Sequence, residues 1–283
     1  MQNTIVVSAT ALANLMTTES VLLVDCRFSL QDADAGQREY AAGHIPGARY
    51  WHLNRDLSGP KQTLGGRHPL PDAAAFQTTM RREGLNNEQW VVLYDDNRGA
   101  FAARAWWMLR YFGHSNVLLL DGGLAGWRNA GFDISAGEAG SVIPGNFVAA
   151  PNPDAVVNFD EVYASLSDES RTLIDAREPP RFLGLQEPID PVAGHIPGAL
   201  NLPASETTDA AGYWLLPQAQ RARWANVSEH KDVVLYCGSG VTACTNAVSL
   251  ALAGLPEAKL YPGSWSDWCR RPDAPVAADA TPT

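Results

Sequence analysis

Short, nearly continuous apolar runs punctuate the chain. They lie at 21–24, 90–94 and 117–120, and again at 172–174, 232–236 and 258–261. Each is rich in Val, Leu or Ile and is bounded by Gly, Asp or Pro. Stretches with helical periodicity fall between them, such as 100–112 and 242–253. A strand that is apolar at successive positions is buried on both faces. Strands of this kind alternating with helices predict an α/β fold with mostly parallel sheets flanked by helices. In such sheets ligands bind beyond the carboxyl ends of the strands. The residues after Tyr94 and Tyr236 are therefore the first place to look for chemistry.

The pattern occurs twice. Leu22-Leu23-Val24-Asp25-Cys26-Arg27 is answered by Leu173-Ile174-Asp175-Ala176-Arg177. Gly43-His44-Ile45-Pro46-Gly47-Ala48 recurs, identical, as Gly194-His195-Ile196-Pro197-Gly198-Ala199. Val91-Val92-Leu93-Tyr94 matches Val233-Val234-Leu235-Tyr236, and Leu120-Asp121-Gly122-Gly123 with Trp127 answers Leu260-Tyr261-Pro262-Gly263 with Trp268. Four landmarks in one order predict a duplicated domain. The copies are expected at 1–138 and 157–283, joined by a Gly- and Pro-containing linker at 139–156. The repeat is too long for a solenoid, so each copy should carry its own core.

Composition narrows the classes. The chain has 283 residues and a formal net charge of −10, which disfavours nucleic acid and anionic membranes as partners. No apolar run approaches the roughly 20 residues of a spanning helix. Met1 to Ser8 carries no basic residue, so a secretory signal is not expected and the cytoplasm is the default compartment. The four cysteines, at 26, 237, 244 and 269, form no Cys-x-x-Cys pair, so neither a disulfide framework nor a zinc site is predicted. Asp25 with Arg27, and Asp175 with Arg177, recur in both copies and read as structural ion pairs. Cys244 reads as a packing residue.

The copies differ where chemistry is expected. After Tyr236 the chain reads Cys237-Gly238-Ser239-Gly240-Val241-Thr242, between a buried strand and a helix. The glycines permit a tight loop with backbone N–H groups turned inward, and the helix adds the positive end of its dipole. Such a loop suits an anionic sulfur. The competing reading is a buried strand-end cysteine. At the same place the first copy has Asp95-Asp96-Asn97-Arg98-Gly99, with no thiol, and reads as catalytically silent.

The tandem copies, the two His-Ile-Pro-Gly segments and the Cys237-to-Thr242 loop resemble the two-domain rhodanese superfamily, in particular its 3-mercaptopyruvate sulfurtransferase branch. The resemblance implies two rhodanese-like domains, with the sulfur-accepting cysteine, Cys237, in the second. It implies a small-molecule sulfur donor, 3-mercaptopyruvate, and a persulfide that passes to cyanide, a small thiol or a thioredoxin-like acceptor. It implies no metal and no organic cofactor. Gly238, Gly240, Val241 and Thr242 would line the substrate loop. Ser239 would pair with a His and an Asp from the N-terminal domain, matched here by His44 and by Asp34 or Asp32. Because His195 repeats the His44 motif, a structural turn histidine is the competing reading.

Arg181, in Arg181-Phe182-Leu183-Gly184, matches the family's substrate arginine, a residue suited to a carboxylate. Family members commonly carry a second arginine in a Glu-Pro-Arg string. This chain has Glu187-Pro188-Ile189, so another basic residue would have to serve. The uncharged Gly238, Ser239 and Gly240 contrast with the Arg and Lys of thiosulfate-specific members. Ala243 stands where a cysteine phosphatase needs Arg. Two other readings remain open: a thiosulfate:cyanide sulfurtransferase, and a non-catalytic rhodanese-like module for binding or redox sensing.

Overall fold

The computed structural model describes residues 4–138, 140–167, 171–227 and 232–278. It contains two compact units. Unit 1 comprises Met1–Gly59, Pro71–Asn152 and Thr208–Trp214; unit 2 comprises Pro60–Leu70, Pro153–Thr207 and Leu215–Thr283. These units differ from the sequence copies expected at 1–138 and 157–283 by short exchanged segments. Each half of the sequence contributes one short segment to the other unit. The expected linker is largely part of unit 1. Gly145 and Phe147 donate to the carbonyls of Arg81 and Leu85, and Ala150 and Asn152 donate to those of Phe112 and Tyr111.

Unit 1 is built on a five-stranded parallel sheet. Its strands are β1 (Val6–Val7), β2 (Val21–Asp25), β3 (Arg49–Tyr50), β4 (Trp90–Tyr94) and β5 (Val117–Leu120), in the order β1-β5-β4-β2-β3. Leu23, Val92 and Leu118 on neighbouring strands face one core with Leu12, Ile45 and Leu124. Helix Ala100–Tyr111 follows β4, and Trp106 and Trp107 are buried in it, as an apolar helix against a sheet requires.

Unit 2 repeats the plan with β6 (Arg171–Asp175), β7 (Leu200–Asn201), β8 (Asp232–Tyr236) and β9 (Lys259–Leu260), in the parallel order β7-β6-β8-β9. Val156 bridges Leu260 in parallel, as β1 does β5. The registers coincide: Asp25 pairs with Tyr94, and Asp175 pairs with Tyr236. Asp95 and Cys237, one residue beyond those tyrosines, are structurally equivalent. Among the described residues, no helix is long and apolar enough to cross a membrane.

The duplicated motifs do structural work. Arg27 grips Asp25 at 2.6 Å and the Gly43 carbonyl at 2.7 Å; Arg177 grips Asp175 at 2.7 Å and the Gly194 carbonyl at 2.6 Å. Both pairs are buried, where an unpaired charge would be costly. Each ties the end of a central strand to its His-Ile-Pro-Gly turn. The Ile45 and Ile196 amides donate to the Tyr94 and Tyr236 hydroxyls at the other side of the same turns.

Candidate active site

The second loop is suspended from the turn that follows β9. Cys237 N–H donates to Ser264 Oγ (3.1 Å), while the carbonyls of Cys237 and Gly238 accept from the amides of Trp265 and Ser266, both at 2.9 Å. Gly240 has φ +73, and a Cβ there would lie 2.6 Å from the Pro262 carbonyl oxygen, so the close approach needs glycine. With the loop's carbonyls tied outward, the amides of Gly238, Ser239, Val241 and Thr242 have no protein acceptor among the described residues. Cys237 is 1% exposed and begins this loop, which leads into helix Ala243–Leu252. Donors arranged in this way stabilise an anion without reorganising. Cys244 is buried within that helix, with its sulfur 3.5 Å from the Gly240 carbonyl, as a packing residue.

Ser239 has a histidine partner, but not the expected one. His68 Nδ1 lies 2.8 Å from Ser239 Oγ, and both residues are buried. His68 comes from Pro60–Leu70, the N-terminal segment that belongs to unit 2. The pairing of His44 with Ser239 is therefore corrected. His44 Nδ1 lies 2.8 Å from the Tyr40 carbonyl, and its ring stacks on Tyr40 at 4.0 Å. His195 does the same in unit 2, at 2.8 Å from the Phe182 carbonyl and 3.8 Å from the Phe182 ring. Both are turn histidines. Asp34 is exposed beside helix Ala35–Ala42 with no capping bond, and Asp32 pairs with Arg38; neither meets His44.

Arg181 lies beside the loop. A Cβ on Gly238 would lie 3.5 Å from Arg181 Nη1 and 3.0 Å from Nη2 of Arg67, a second arginine that sequence reasoning did not single out. Glu187 binds Arg181 through Nε at 3.1 Å and Nη2 at 2.7 Å, and Asp190 bridges Arg181 and Arg67. Burial works against the Glu187 carboxylate. The hydrogen bonds and charge of Arg181, with the Asp190 and Ile189 amides, outweigh it and hold Glu187 below the usual carboxylate range. Burial pushes the Asp190 carboxyl up, helped by neighbouring Glu187, although Arg67 and Arg181 pull the other way. Ile189 is 46% exposed and supplies only its amide to Glu187.

The equivalent loop in unit 1 is chemically closed. The Asp95 carboxylate accepts from the amides of Asn97 (2.7 Å), Gly99 (2.9 Å), Phe101 (2.9 Å) and Ala102 (2.8 Å). Burial raises the Asp95 carboxyl above the usual aspartate range, against the pull of those four donors.

A parallel α/β unit with a cysteine loop beyond its central strand, duplicated with a closed counterpart, defines a class of tandem cysteine-loop proteins. The chain belongs to the rhodanese family: residues 8–130 and 158–271 each match the rhodanese-like domain. It is 45% identical to a probable 3-mercaptopyruvate sulfurtransferase of Pseudomonas aeruginosa, over 95% of this chain and 96% of that one. It is 39% identical to a putative thiosulfate sulfurtransferase of Mycobacterium tuberculosis, covering 96% of each. Its structure resembles crystalline SseA from Escherichia coli, described with the mechanism of 3-mercaptopyruvate sulfotransferases, with a TM-score of 0.83 and 36% identity, covering 93% of this chain and 99% of SseA.

Proposed function

We propose that the protein is a sulfurtransferase that takes sulfur from 3-mercaptopyruvate onto Cys237 and passes it to a thiophilic acceptor. The observation that carries this reading is the Cys237 loop, with four amides free of protein acceptors and Arg181 alongside. The Cys237 thiolate attacks the donor sulfur, forming an S–S bond as the C–S bond breaks. Pyruvate departs as its enolate, and the His68–Ser239 pair passes it a proton. The loop amides of Gly238, Ser239, Val241 and Thr242, with the turn at Gly240, hold the persulfide. Cyanide, a small thiol or a reduced thioredoxin-like protein then takes the outer sulfur and restores the thiolate. This is covalent catalysis in two steps, so ping-pong kinetics are expected.

The names of the Pseudomonas and Escherichia relatives and the uncharged Gly238-Ser239-Gly240 favour mercaptopyruvate. The Mycobacterium relative keeps thiosulfate as the second donor reading. Four free cysteines support a reducing compartment, the cytoplasm. Intact-mass spectrometry tests the reading directly. One sulfur atom should be gained on Cys237 after mercaptopyruvate treatment, and none in Cys237→Ser. An inert thiol would favour a binding or sensing module instead. A specificity constant higher for thiosulfate than for mercaptopyruvate would overturn the donor assignment.

A further inference from the structure

One short turn holds the Cys237 backbone. The Cys237 N–H donates to Ser264 Oγ (3.1 Å), its carbonyl accepts from the Trp265 amide (2.9 Å), and the Gly238 carbonyl accepts from the Ser266 amide (2.9 Å). Two of these bonds use backbone amides, which any residue but proline could supply. The third needs the Ser264 hydroxyl, which is fully buried and donates in turn to the Tyr261 carbonyl (2.9 Å).

Ser264 keeps that place against its own backbone preference. Its φ is +53, in the left-handed region, which among the described residues it shares with one other non-glycine, Arg98. A side chain is strained there, whereas glycine adopts the region freely. Unit 1 shows the relaxed choice. Leu93, two residues before Asp95, pairs with Leu119; Leu235, two residues before Cys237, pairs with Leu260. Four residues after each partner stand Gly123 and Ser264, with φ +56 and +53. Both positions meet the first residue of their loop. A Cβ on Gly123 would lie 1.9 Å from the Asp95 carbonyl oxygen, so that position needs glycine. The Leu124 amide reaches the Asp95 carbonyl at 3.4 Å, where the Trp265 amide reaches that of Cys237 at 2.9 Å. In the copy that holds the thiol, the same turn thus makes a shorter bond and gains a hydroxyl. One rotatable bond separates a cysteine's backbone from its sulfur, so a fixed backbone leaves the sulfur three staggered positions. Holding the N–H and carbonyl of Cys237 together therefore limits where its sulfur can stand.

We propose that Ser264 is a positioning residue for sulfur transfer: its hydroxyl, set in strained backbone, holds the Cys237 amide and so aims the thiolate at the donor sulfur. This rests on the sulfurtransfer reading above. Ser264→Gly is the sharpest variant, because it removes the hydroxyl and relieves the backbone in one change. It should melt close to the wild type. In single-turnover intact-mass time courses with 3-mercaptopyruvate, its maximal rate of sulfur gain should fall roughly 10- to 100-fold, the scale of a misplaced reacting group. The half-saturating donor concentration should stay within about twofold, because Arg181 is untouched. Ser264→Ala lacks the hydroxyl but keeps the strain, so it should share the kinetic defect and melt lower. A Ser264→Gly protein that gains sulfur at the wild-type maximal rate would overturn the proposal. So would a loss expressed in donor affinity, or one that only tracks the folded fraction. Should Ser264→Gly not fold, Ser264→Ala with an undiminished maximal rate would do the same. Wild-type protein that gains no sulfur from mercaptopyruvate would instead sink the sulfurtransfer reading itself, a failure visible before any variant is made.

Discussion

One residue beyond Tyr94 the chain places Asp95; one residue beyond Tyr236 it places Cys237. The strands before them share one register, and the helices after them start at Ala100 and Ala243. In the first loop the amides of Asn97, Gly99, Phe101 and Ala102 close on the carboxylate that begins the loop. In the second, the amides of Gly238, Ser239, Val241 and Thr242 have no protein acceptor among the described residues. The same backbone position thus carries donors closed on a carboxylate in one unit and donors without a protein acceptor in the other. A carboxylate at the end of the strand satisfies the ring; a thiol leaves it available to an anion brought from outside.

Exchanging those residues should have the largest effect. Cys237→Asp is expected to abolish persulfide formation and to cut pyruvate release by more than about 10³-fold while the fold persists. Turnover near the wild-type rate would make the loop difference irrelevant. Next come the histidines. His68→Gln should lower kcat by about 10²-fold, the scale of a lost proton-transfer group, whereas His44→Gln should leave turnover intact and cost about 1 kcal/mol of stability. If steady-state kinetics ranked the two variants the other way, the duplicated motif would hold the catalytic histidine after all.

Emptying the first ring is a stability experiment. Asp95→Ala strips the acceptor from four inward amides, for an expected loss of about 2 kcal/mol in urea unfolding. An unchanged midpoint would show that the carboxylate does not hold the loop. The last comparison is between the glycines. Gly240→Ala forces a side chain into left-handed backbone, costing about 1–2 kcal/mol, against a rigid carbonyl oxygen. Gly99→Ala, at φ +79, meets the Trp214 ring, which can shift, so thermal melts should rank it as the milder change.

The sheet was legible because two-sided burial writes itself as continuous apolar runs. Val21–Asp25, Trp90–Tyr94, Val117–Leu120 and Asp232–Tyr236 follow from composition and punctuation alone. Of the two-residue strands, β9 falls within the run at 258–261, whereas β1, β3 and β7 have no such run around them. The cysteine loop was legible because glycines, a strand and a helix meet around one thiol. Arg67 and His68 were not. They lie in Leu64-Gly65-Gly66-Arg67-His68-Pro69, which has no periodicity, and they meet their partners only through tertiary contacts with residues 123 to 199 positions away.

One signal could have found them. His44 recurs as His195, and a residue present in both copies answers a need that both copies share. Chemistry confined to one copy belongs with residues that are not duplicated, and His68 is such a residue. Position 189 makes the same point: the sequence leaves open which basic residue would serve in its place, and the arginine beside Gly238 is Arg67, far from it along the chain.

The assignment of Pro60–Leu70 to unit 2 has a consequence for ancestry. A tandem gene can ordinarily be split, and each descendant can keep what its copy held. Here the split would strand the histidine and one arginine on the fragment without the thiol. A stretch of eleven residues would thus tie the first half of the sequence to the unit that holds the thiol.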